Sequence, residues 1–246
     1  MSAMRQKTAA VVVIGNEILT GKSEDRNASF LIGELYGLGV ALRRVVIIPD
    51  DVEEIARAVR ESSEMFDYVF TSGGVGPTHD DVTIEGVARA FNRPVVRHPE
   101  LAAMLRGYFG DDADEARMRM ADMPEGSELI RENGLRWPVL ATGNVYVLPG
   151  VPELFRSKFE SMKDRFRQEP FHARAVYTLE DEFDIAPRLE QVAAAHAAVD
   201  IGSYPTFTRE DYRVKITLES KESESLERAF EDLLGLLDAN AIVRKE

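Results

Sequence analysis

The residues with the clearest chemistry lie in one stretch, 72–83, where three glycines come before a cluster of threonine, histidine and aspartate. The glycines allow the backbone to take positive φ angles and to approach a ligand closely. Amides at the N-terminus of the helix expected to follow would face an anion. Asp80 and Asp81 would repel a bare phosphate, and a divalent cation between them and the phosphate removes that conflict. The stretch therefore predicts a phosphate site with metal-assisted chemistry.

The overall composition limits the classes of function. The chain has 30 Lys and Arg against 43 Asp and Glu, which gives a formal net charge of −13. Nucleic-acid binding needs a basic surface, so we expect no nucleic-acid partner, whereas a small phosphorylated ligand needs only a few local groups and a metal. The chain has no cysteine, which excludes disulfides and Cys-based metal sites. No stretch approaches the roughly 18 consecutive apolar residues of a membrane span, so we expect a cytoplasmic protein with no membrane partner.

A second group of polar residues follows the first predicted strand, Thr8–Ile14. The segment 15–23, Gly-Asn-Glu-Ile-Leu-Thr-Gly-Lys-Ser, is close to a P-loop, but it has five residues between its glycines where the motif has four. The spacing therefore argues against a Walker-type nucleotide site. We interpret Glu17 as a polar group at the carboxyl end of the strand, where the ligands of open α/β sheets gather. A solvated loop acid is the alternative.

A third corner of the same kind lies at 148–152, Leu-Pro-Gly-Val-Pro. A strand is predicted to end in Pro149 and Gly150, and Pro152 suits the first turn of a helix that runs to about Arg167. This corner is either another phosphate or pterin contact or an ordinary turn between a strand and a helix.

The pattern between these corners predicts the elements that position them. After the first strand, apolar spacing predicts helices over 25–38, 52–65 and 83–91 that alternate with strands over 40–48 and 67–71. This alternation is typical of an α/β domain with a parallel sheet and right-handed crossovers. Farther on, the pattern predicts helices over 99–109 and 112–123 and short strands over 127–130 and 139–141.

A change of pattern at Gln168-Glu169-Pro170 predicts a domain junction, so we expect a first domain over 1–170 and a second over 171–246. The second contains a predicted strand, helix, two strands and a helix. These cover 173–178, 187–198, 199–204, 212–219 and 223–237. Their order, βαββα, indicates a small α+β domain.

Together these motifs resemble the CinA family, whose first domain is similar to the molybdopterin-binding MoaB and MogA proteins. The resemblance runs in order through 15–21 with Asp25 and Asn27, then 72–83, 148–152 and 201–205. It implies a three-layer αβα domain with a mostly parallel sheet, followed by a small KH-like domain. The C-terminal amidase domain of full-length CinA has no counterpart here, so deamidation is not expected.

Two positions and one segment depart from the pattern. Asp80 stands where MoaB-like sequences are typically basic, and Val151 stands where they carry serine. The segment 133–142, together with 144–155, looks more like the pyrophosphatase domain fused to eukaryotic FAD synthases than like CinA.

The resemblance implies a metal-dependent pyrophosphatase that acts on a dinucleotide-like diphosphate such as ADP-ribose or FAD. Asp81 is assigned the main catalytic role, with Asp80 and Thr78 beside it. His79 is a candidate general acid, although a lone loop histidine is more often solvated. The divalent ion, Mg²⁺ or a similar one, is assigned to Asp81, Asp80 and Glu17. The ligand is assigned to Gly15, Asn16, Glu17, Gly73, Gly74, Gly76, Thr83, Pro149 and Gly150.

Two other interpretations stay open. The same corner in a MoaB-like protein would bind molybdopterin, or a related phosphorylated pterin, without hydrolysis. Alternatively, the aspartates are only a helix N-cap and the glycines only a turn.

The second predicted domain has its own expected role. RNA binding is not expected, because 171–246 lacks a Gly-x-x-Gly loop and carries 9 basic against 16 acidic residues, a net of −7. Packing or dimerisation is the better interpretation. The resemblance also implies a homo-oligomer, either a dimer or a trimer.

Overall fold

The computed structural model describes residues 6–209 and 211–246, and the chain divides after Gln168 into two compact units. Among the described residues, no helix combines the length and the apolar character needed to cross a bilayer.

The first unit is built on a six-stranded sheet in the order β2-β1-β3-β8-β7-β6. The strands of the unit are β1 (Thr8–Ile14), β2 (Ala41–Ile48), β3 (Tyr68–Ser72), β4 (Val95–Arg97), β5 (Asp122–Pro124), β6 (Glu128–Ile130), β7 (Val139–Thr142) and β8 (Val145–Leu148). The pairs β1–β2, β1–β3 and β3–β8 are parallel, whereas β7 runs antiparallel to both β8 and β6. The sheet is therefore mostly parallel, and its two central strands are β3 and β8.

Helices cover both faces of this sheet. They are α1 (Asn16–Leu19), α2 (Asn27–Gly37), α3 (Val52–Met65), α4 (Thr83–Ala90), α5 (Pro99–Phe109), α6 (Glu115–Met118) and α7 (Pro152–Met162). Val11 and Val13 pack with α2 and α7 on one face, and Val12 and Ile14 pack with α3 and α4 on the other. A strand buried on both faces has a continuous apolar sequence, as β1 does. The three-layer αβα architecture implied by the resemblance is confirmed.

The region between α5 and β6 differs from the sequence prediction. The helix predicted over 112–123 is wrong, because only the four residues of α6 are α-helical and 122–124 form β5, which pairs antiparallel with β4. Gly110 has φ 57°, which breaks the helical path, and the Asp114 side chain starts α6 by accepting from the Arg117 amide at 2.9 Å. Arg97 on β4 forms ion pairs with Glu115 at 2.7 Å and with Asp122 at 2.8 Å, which connect β4 to α6 and to β5.

Two smaller differences concern the helices beside the glycine corners. The four-residue helix α1 occupies part of the segment interpreted as a loop. The helix that begins at Pro152 ends at Met162 and continues as a 3₁₀ turn through Phe166.

The second unit has a four-stranded antiparallel sheet in the order β10-β11-β9-β12. Its elements are β9 (His172–Thr178), α8 (Glu182–Ala195), β10 (Asp200–Pro205), β11 (Val214–Ser220), α9 (Ser223–Leu236) and β12 (Ile242–Lys245). Val214, Ile216 and Leu218 alternate along β11, so one face of the sheet packs with α8 and α9 in a single apolar cluster.

Two predictions for this unit need correction. Helix α8 begins at 182 and not at Pro187, because the Asp181 side chain caps it by accepting from the Phe183 amide at 3.0 Å. Pro187 therefore lies inside the helix. The strand β12 was missed as well, and it pairs with β9, so the order is βαββαβ.

Candidate functional site

Three glycine corners meet at the carboxyl edge of the parallel part of the first sheet. Gly15 follows β1, Gly73 follows β3, and Pro149 and Gly150 follow β8. Because β1, β3 and β8 are adjacent and parallel, their carboxyl ends lie at one edge, which is where ligands of such sheets bind. The structure brings together the glycine corners that the sequence singled out.

Gly73 is the point where the three corners converge. Its backbone has φ 105°, and a Cβ added to it would lie 2.2 Å from the carbonyl oxygen of Ile14 at the end of β1. Its amide donates to the carbonyl of Leu148 at 3.2 Å. A Cβ on Gly150 would lie 3.3 Å from the Gly73 Cα. Glycine is required here because the backbones of neighbouring corners approach so closely.

Contacts between Gly74 and Thr83 stabilise this turn. Gly74 has φ 65°, and a Cβ there would lie 2.3 Å from the Thr83 hydroxyl. That hydroxyl donates to the Gly73 carbonyl at 2.9 Å, and the Thr83 amide donates to the Gly74 carbonyl at 3.0 Å. Thr83 is fully buried. The structure therefore gives Thr83 a role in shaping the loop, where the sequence had suggested contact with the ligand.

Asp81 closes a tight turn with Thr78. Its Oδ2 accepts from the Thr78 amide at 2.9 Å and from the Thr78 hydroxyl. A Cβ on Gly76 would lie 2.6 Å from the same Oδ2, so this glycine leaves room for the carboxylate. Helix α4 starts at Thr83 after Val82, without a side-chain cap. The interpretation of the two aspartates as a helix N-cap is therefore wrong.

His79 and Asp80 are the two central residues of that turn, and their side chains are 97% and 61% exposed. Hydrogen bonding from the Thr78 side chain and then from the Asp80 backbone amide lowers the pKa of the Asp80 carboxyl below its ordinary value. Asp80 is therefore a carboxylate at neutral pH. Its exposed position allows it to meet a cation or a cation-bound phosphate from solvent.

The first corner carries Asn16 and Glu17, both exposed. The backbone amide of Asn16 donates to Asp50 Oδ2 at 2.8 Å. The Glu17 carboxylate folds back over the glycine before it, because a Cβ on Gly15 would lie 2.5 Å from Glu17 Oε1. Both residues lie at the carboxyl edge, as expected from the sequence.

The proposed metal ligands do not form a ready-made cage. Among residues 6–209 and 211–246, no group of three or more His, Asp or Glu side chains is close enough to hold a metal ion. Mg²⁺ is usually held by one or two carboxylates, with phosphate oxygens and water completing its shell. The residues present therefore fit a cation that arrives with a diphosphate and takes ligands from Asp81 and Asp80.

Sequence reasoning missed the roles of three residues that shape the site. Asp51 caps α3, whereas the neighbouring Asp50 bonds the first corner. Arg119 reaches across to the glycine loop and donates to the Pro77 carbonyl at 2.9 Å. The Asn27 amide donates to Ser72 Oγ and to the Gly150 carbonyl, both at 2.8 Å. Among these three, only Asn27 carried a sequence signal, its place in the motif that begins at Gly15.

Comparison with known proteins places this geometry in a family. Residues 10–168 match the model of the "probable molybdopterin binding domain". The chain belongs to that family. Residues 170–246 match the middle domain of FAD synthase, so the KH-like description of the second unit stays a prediction.

Relatives of this molybdopterin-binding-domain chain include a "Probable FAD synthase" from Caenorhabditis elegans, 34% identical over 97% of this chain and 51% of that protein. The chain thus spans about half the length of that relative. A protein of Archaeoglobus fulgidus is 36% identical over 92% of this chain and 97% of its own length. Among solved structures, CinA of Thermoplasma acidophilum is 35% identical, with a TM-score of 0.60 over 65% of this chain and 98% of that chain. The resemblance to CinA is confirmed.

Proposed function

We propose that the first unit binds a dinucleotide of the FAD or ADP-ribose type through its diphosphate and hydrolyses the diphosphate with the help of a divalent cation. The observation that carries this proposal is the convergence of three backbone corners at Gly73, beside the Thr78–Asp81 turn. Backbone groups at such corners take phosphate oxygens, and the carboxylates beside them suit a cation that travels with the phosphates.

The family match supports the ligand class. A relative that covers nearly this whole chain is named for FAD, and FAD is two nucleotides joined by a diphosphate. The second unit also matches a domain of FAD synthase. The formal net charge of −13 repels a negatively charged diphosphate, and a bound divalent cation would reduce that repulsion.

Different residues of the chain would bind the diphosphate and the cation. The corners at Gly15, Gly73 and Gly150 hold the diphosphate at the edge of the sheet. Asp81 and Asp80 would hold the divalent cation, which supplies charge neutralisation of the phosphoryl oxygens and lowers the pKa of water bound to it. Thr78 fixes the Asp81 carboxylate by two hydrogen bonds to Oδ2. Water adds to one phosphorus, the bridging P–O bond breaks, and two monophosphates leave.

The test is a panel of FAD, ADP-ribose and NAD incubated with Mg²⁺, Mn²⁺ or a chelator, with the products read by mass spectrometry. Hydrolysis converts FAD and water into FMN and AMP, and ADP-ribose and water into AMP and ribose 5-phosphate. We expect cation-dependent cleavage that falls by about 100-fold or more in Asp81→Asn. Asp200→Asn, an exposed change on β10 in the second unit, is the matched control. Full cation-dependent cleavage by Asp81→Asn would show that Asp81 does not have this role.

The family model favours a second candidate, the binding of molybdopterin without hydrolysis. It uses the same corners and requires no reaction. Expression in a host that makes molybdopterin separates the two, because a binding protein would co-purify with a fluorescent pterin at near-stoichiometric amounts. Pterin retention without cleavage of any diphosphate in the panel would favour this second candidate.

A further inference from the structure

Asn27 joins two of the glycine corners through one side-chain amide. It is the first residue of α2 and is 3% exposed. Its Nδ2 donates to Ser72 Oγ and to the Gly150 carbonyl, both at 2.8 Å. Ser72 is the last residue of β3 and directly precedes Gly73. The single NH₂ group therefore connects the end of β3 to the loop after β8.

The chemistry of the two acceptors fixes the orientation of this amide. A carbonyl oxygen only accepts, so the NH₂ group of Asn27 has to face Gly150. The Oδ1 atom then faces away, and it is buried without a hydrogen-bond partner among the described residues. Buried polar atoms are nearly always paired, and an exception calls for a reason.

The helix that carries Asn27 is held rigidly. Asp25 Oδ2 accepts from the Ala28 amide at 3.0 Å, which fixes the first turn of α2. Leu31 and Leu35 anchor the rest of the helix, fully buried against the sheet. Asn27 thus connects a packed helix to the end of β3 and to the loop after β8.

From this geometry we infer that Asn27 is a positioning residue, which sets the separation of the Gly73 and Gly150 corners so that both contact one diphosphate. The inference rests on the proposed function, since it concerns the same site. Without the clamp, the Gly150 carbonyl loses its side-chain donor, and the loop after β8 relaxes away from Gly73. Ligand affinity then falls even though no group that touches the ligand has changed.

Asn27→Asp tests the clamp because it keeps the shape of the side chain and replaces the donor. At neutral pH the carboxylate repels the Gly150 carbonyl, whereas a protonated carboxyl donates one hydrogen bond to it. Burial raises the pKa of such a carboxyl, so protonation is within reach of mild acid. FAD affinity, measured through the KM of Mg²⁺-dependent cleavage, should weaken about 10-fold relative to wild type at pH 8. The difference in FAD affinity between wild type and Asn27→Asp should narrow to about threefold or less at pH 5.5.

Asn144 provides a matched control. Its Nδ2 donates to the carbonyls of Ser63 at 3.0 Å and Phe66 at 2.8 Å, so it is also an amide clamp with two acceptors. It directly precedes β8 and so lies at the opposite edge of the sheet from the glycine corners. Asn144→Asp should lower the unfolding midpoint and leave FAD affinity within about twofold of wild type at both pH values.

A second set of measurements covers loss of folding and loss of function separately. If Asn27→Asp does not fold, Ser72→Ala removes one acceptor of the clamp and should weaken FAD binding about threefold. If wild type binds no dinucleotide, the proposed function fails, and the clamp is then judged by the backbone NMR shifts of Gly73 and Gly150 in Asn27→Asp. Shifts confined to these corners support the clamp.

Three results on ligand affinity would overturn the inference. The first is FAD affinity in Asn27→Asp equal to that of wild type at pH 8. The second is the same loss at pH 5.5 as at pH 8, and the third is an equal loss in Asn144→Asp. Unchanged amide shifts of Gly73 and Gly150 would also overturn it, whatever the ligand results.

Discussion

Gly73 directly follows β3 and Ile14 ends the adjacent parallel strand β1, and their backbones are so close that a Cβ on residue 73 would lie 2.2 Å from the Ile14 carbonyl oxygen. The φ of 105° at residue 73 adds to the requirement for glycine, because L side chains rarely take that angle. The contact explains why the centre of the candidate site is a backbone position and not a side chain.

Replacing Gly73 by alanine should therefore destabilise the first unit. The added methyl group has to displace the end of β1, and the strained φ adds to that cost, so we expect a loss of about 3 kcal/mol in the free energy of unfolding. Urea denaturation followed by circular dichroism measures it. Gly107→Ala is the control, because it lies in α5 with no atom within 4 Å of the added Cβ and should gain about 0.5–1 kcal/mol. Equal stabilities for the two variants would contradict the described contact.

Thr78 is predicted to act through Asp81. Thr78→Val removes the hydroxyl that donates to Asp81 Oδ2 but keeps the backbone amide that donates to the same oxygen at 2.9 Å. The carboxylate should become more mobile, and Mg²⁺-dependent FAD binding should weaken about 3- to 10-fold. Thr78→Ser retains a hydroxyl and should restore most of the affinity. The side chain at position 78 is exposed, so thermal unfolding should change little in either variant. Equal FAD binding by the valine and serine variants would show that the Thr78 hydroxyl does not contribute to the site.

Much of the first unit could be predicted from the sequence, for physical reasons. A strand buried on both faces has a continuous apolar sequence, as β1 does from Ala9 to Ile14. The alternation of such strands with amphipathic helices leaves few topologies. The corners followed from the same logic, since the carboxyl ends of parallel strands share one edge. The region around α6 was mispredicted because its elements are three or four residues long. At that length, hydrophobic periodicity does not distinguish a helix from a strand, and Arg97 settles the structure through its ion pairs.

The connections inside the site could not be predicted in this way. Asn27 bonds residues 45 and 123 positions away, and Asn16 bonds Asp50 34 positions away. Spacing along one segment carries no information about such pairs. The same holds for Thr83, whose hydroxyl was equally compatible with a phosphate and with the Gly73 carbonyl until the turn was seen.

Asp50 and Asp51 are adjacent in sequence and should differ in effect. Asp51 caps α3 by accepting from the amides of Glu53 and Glu54, both at 3.0 Å, so Asp51→Ala should cost about 1 kcal/mol of stability and leave FAD binding unchanged. Asp50→Ala frees the Asn16 amide at the first corner and should weaken FAD binding about threefold with a smaller loss of stability. Calorimetric binding and urea denaturation of both variants make the comparison. The assignment of Asp50 to the site fails if the two variants show the same pattern.

Lys158 on α7 should give the first unit a specific dependence on pH. Its Nζ donates to the carbonyls of Trp137 at 3.0 Å and Pro138 at 2.8 Å, and burial lowers the pKa of the amine to about 8. The unfolded chain keeps a lysine pKa of about 10.4. Between these values the unfolded state binds more protons than the folded state, so the free energy of unfolding rises as the pH increases from about 8 to about 10. Below pH 8 both states are protonated and the contribution is flat.

Lys158→Met removes this contribution while retaining an apolar chain of similar length. The difference in unfolding free energy between wild type and Lys158→Met should therefore shift in favour of wild type as the pH rises from 8 to 10. A shift on the order of 2 kcal/mol is expected after allowance for relaxation around the buried amine. Urea denaturation at pH 7, 8, 9 and 10 measures it, and Lys22→Met, an exposed position, corrects for the loss of one lysine. Parallel pH profiles for Lys158→Met and wild type would mean that the amine titrates alike in the folded and unfolded states, contrary to its burial against the two carbonyls.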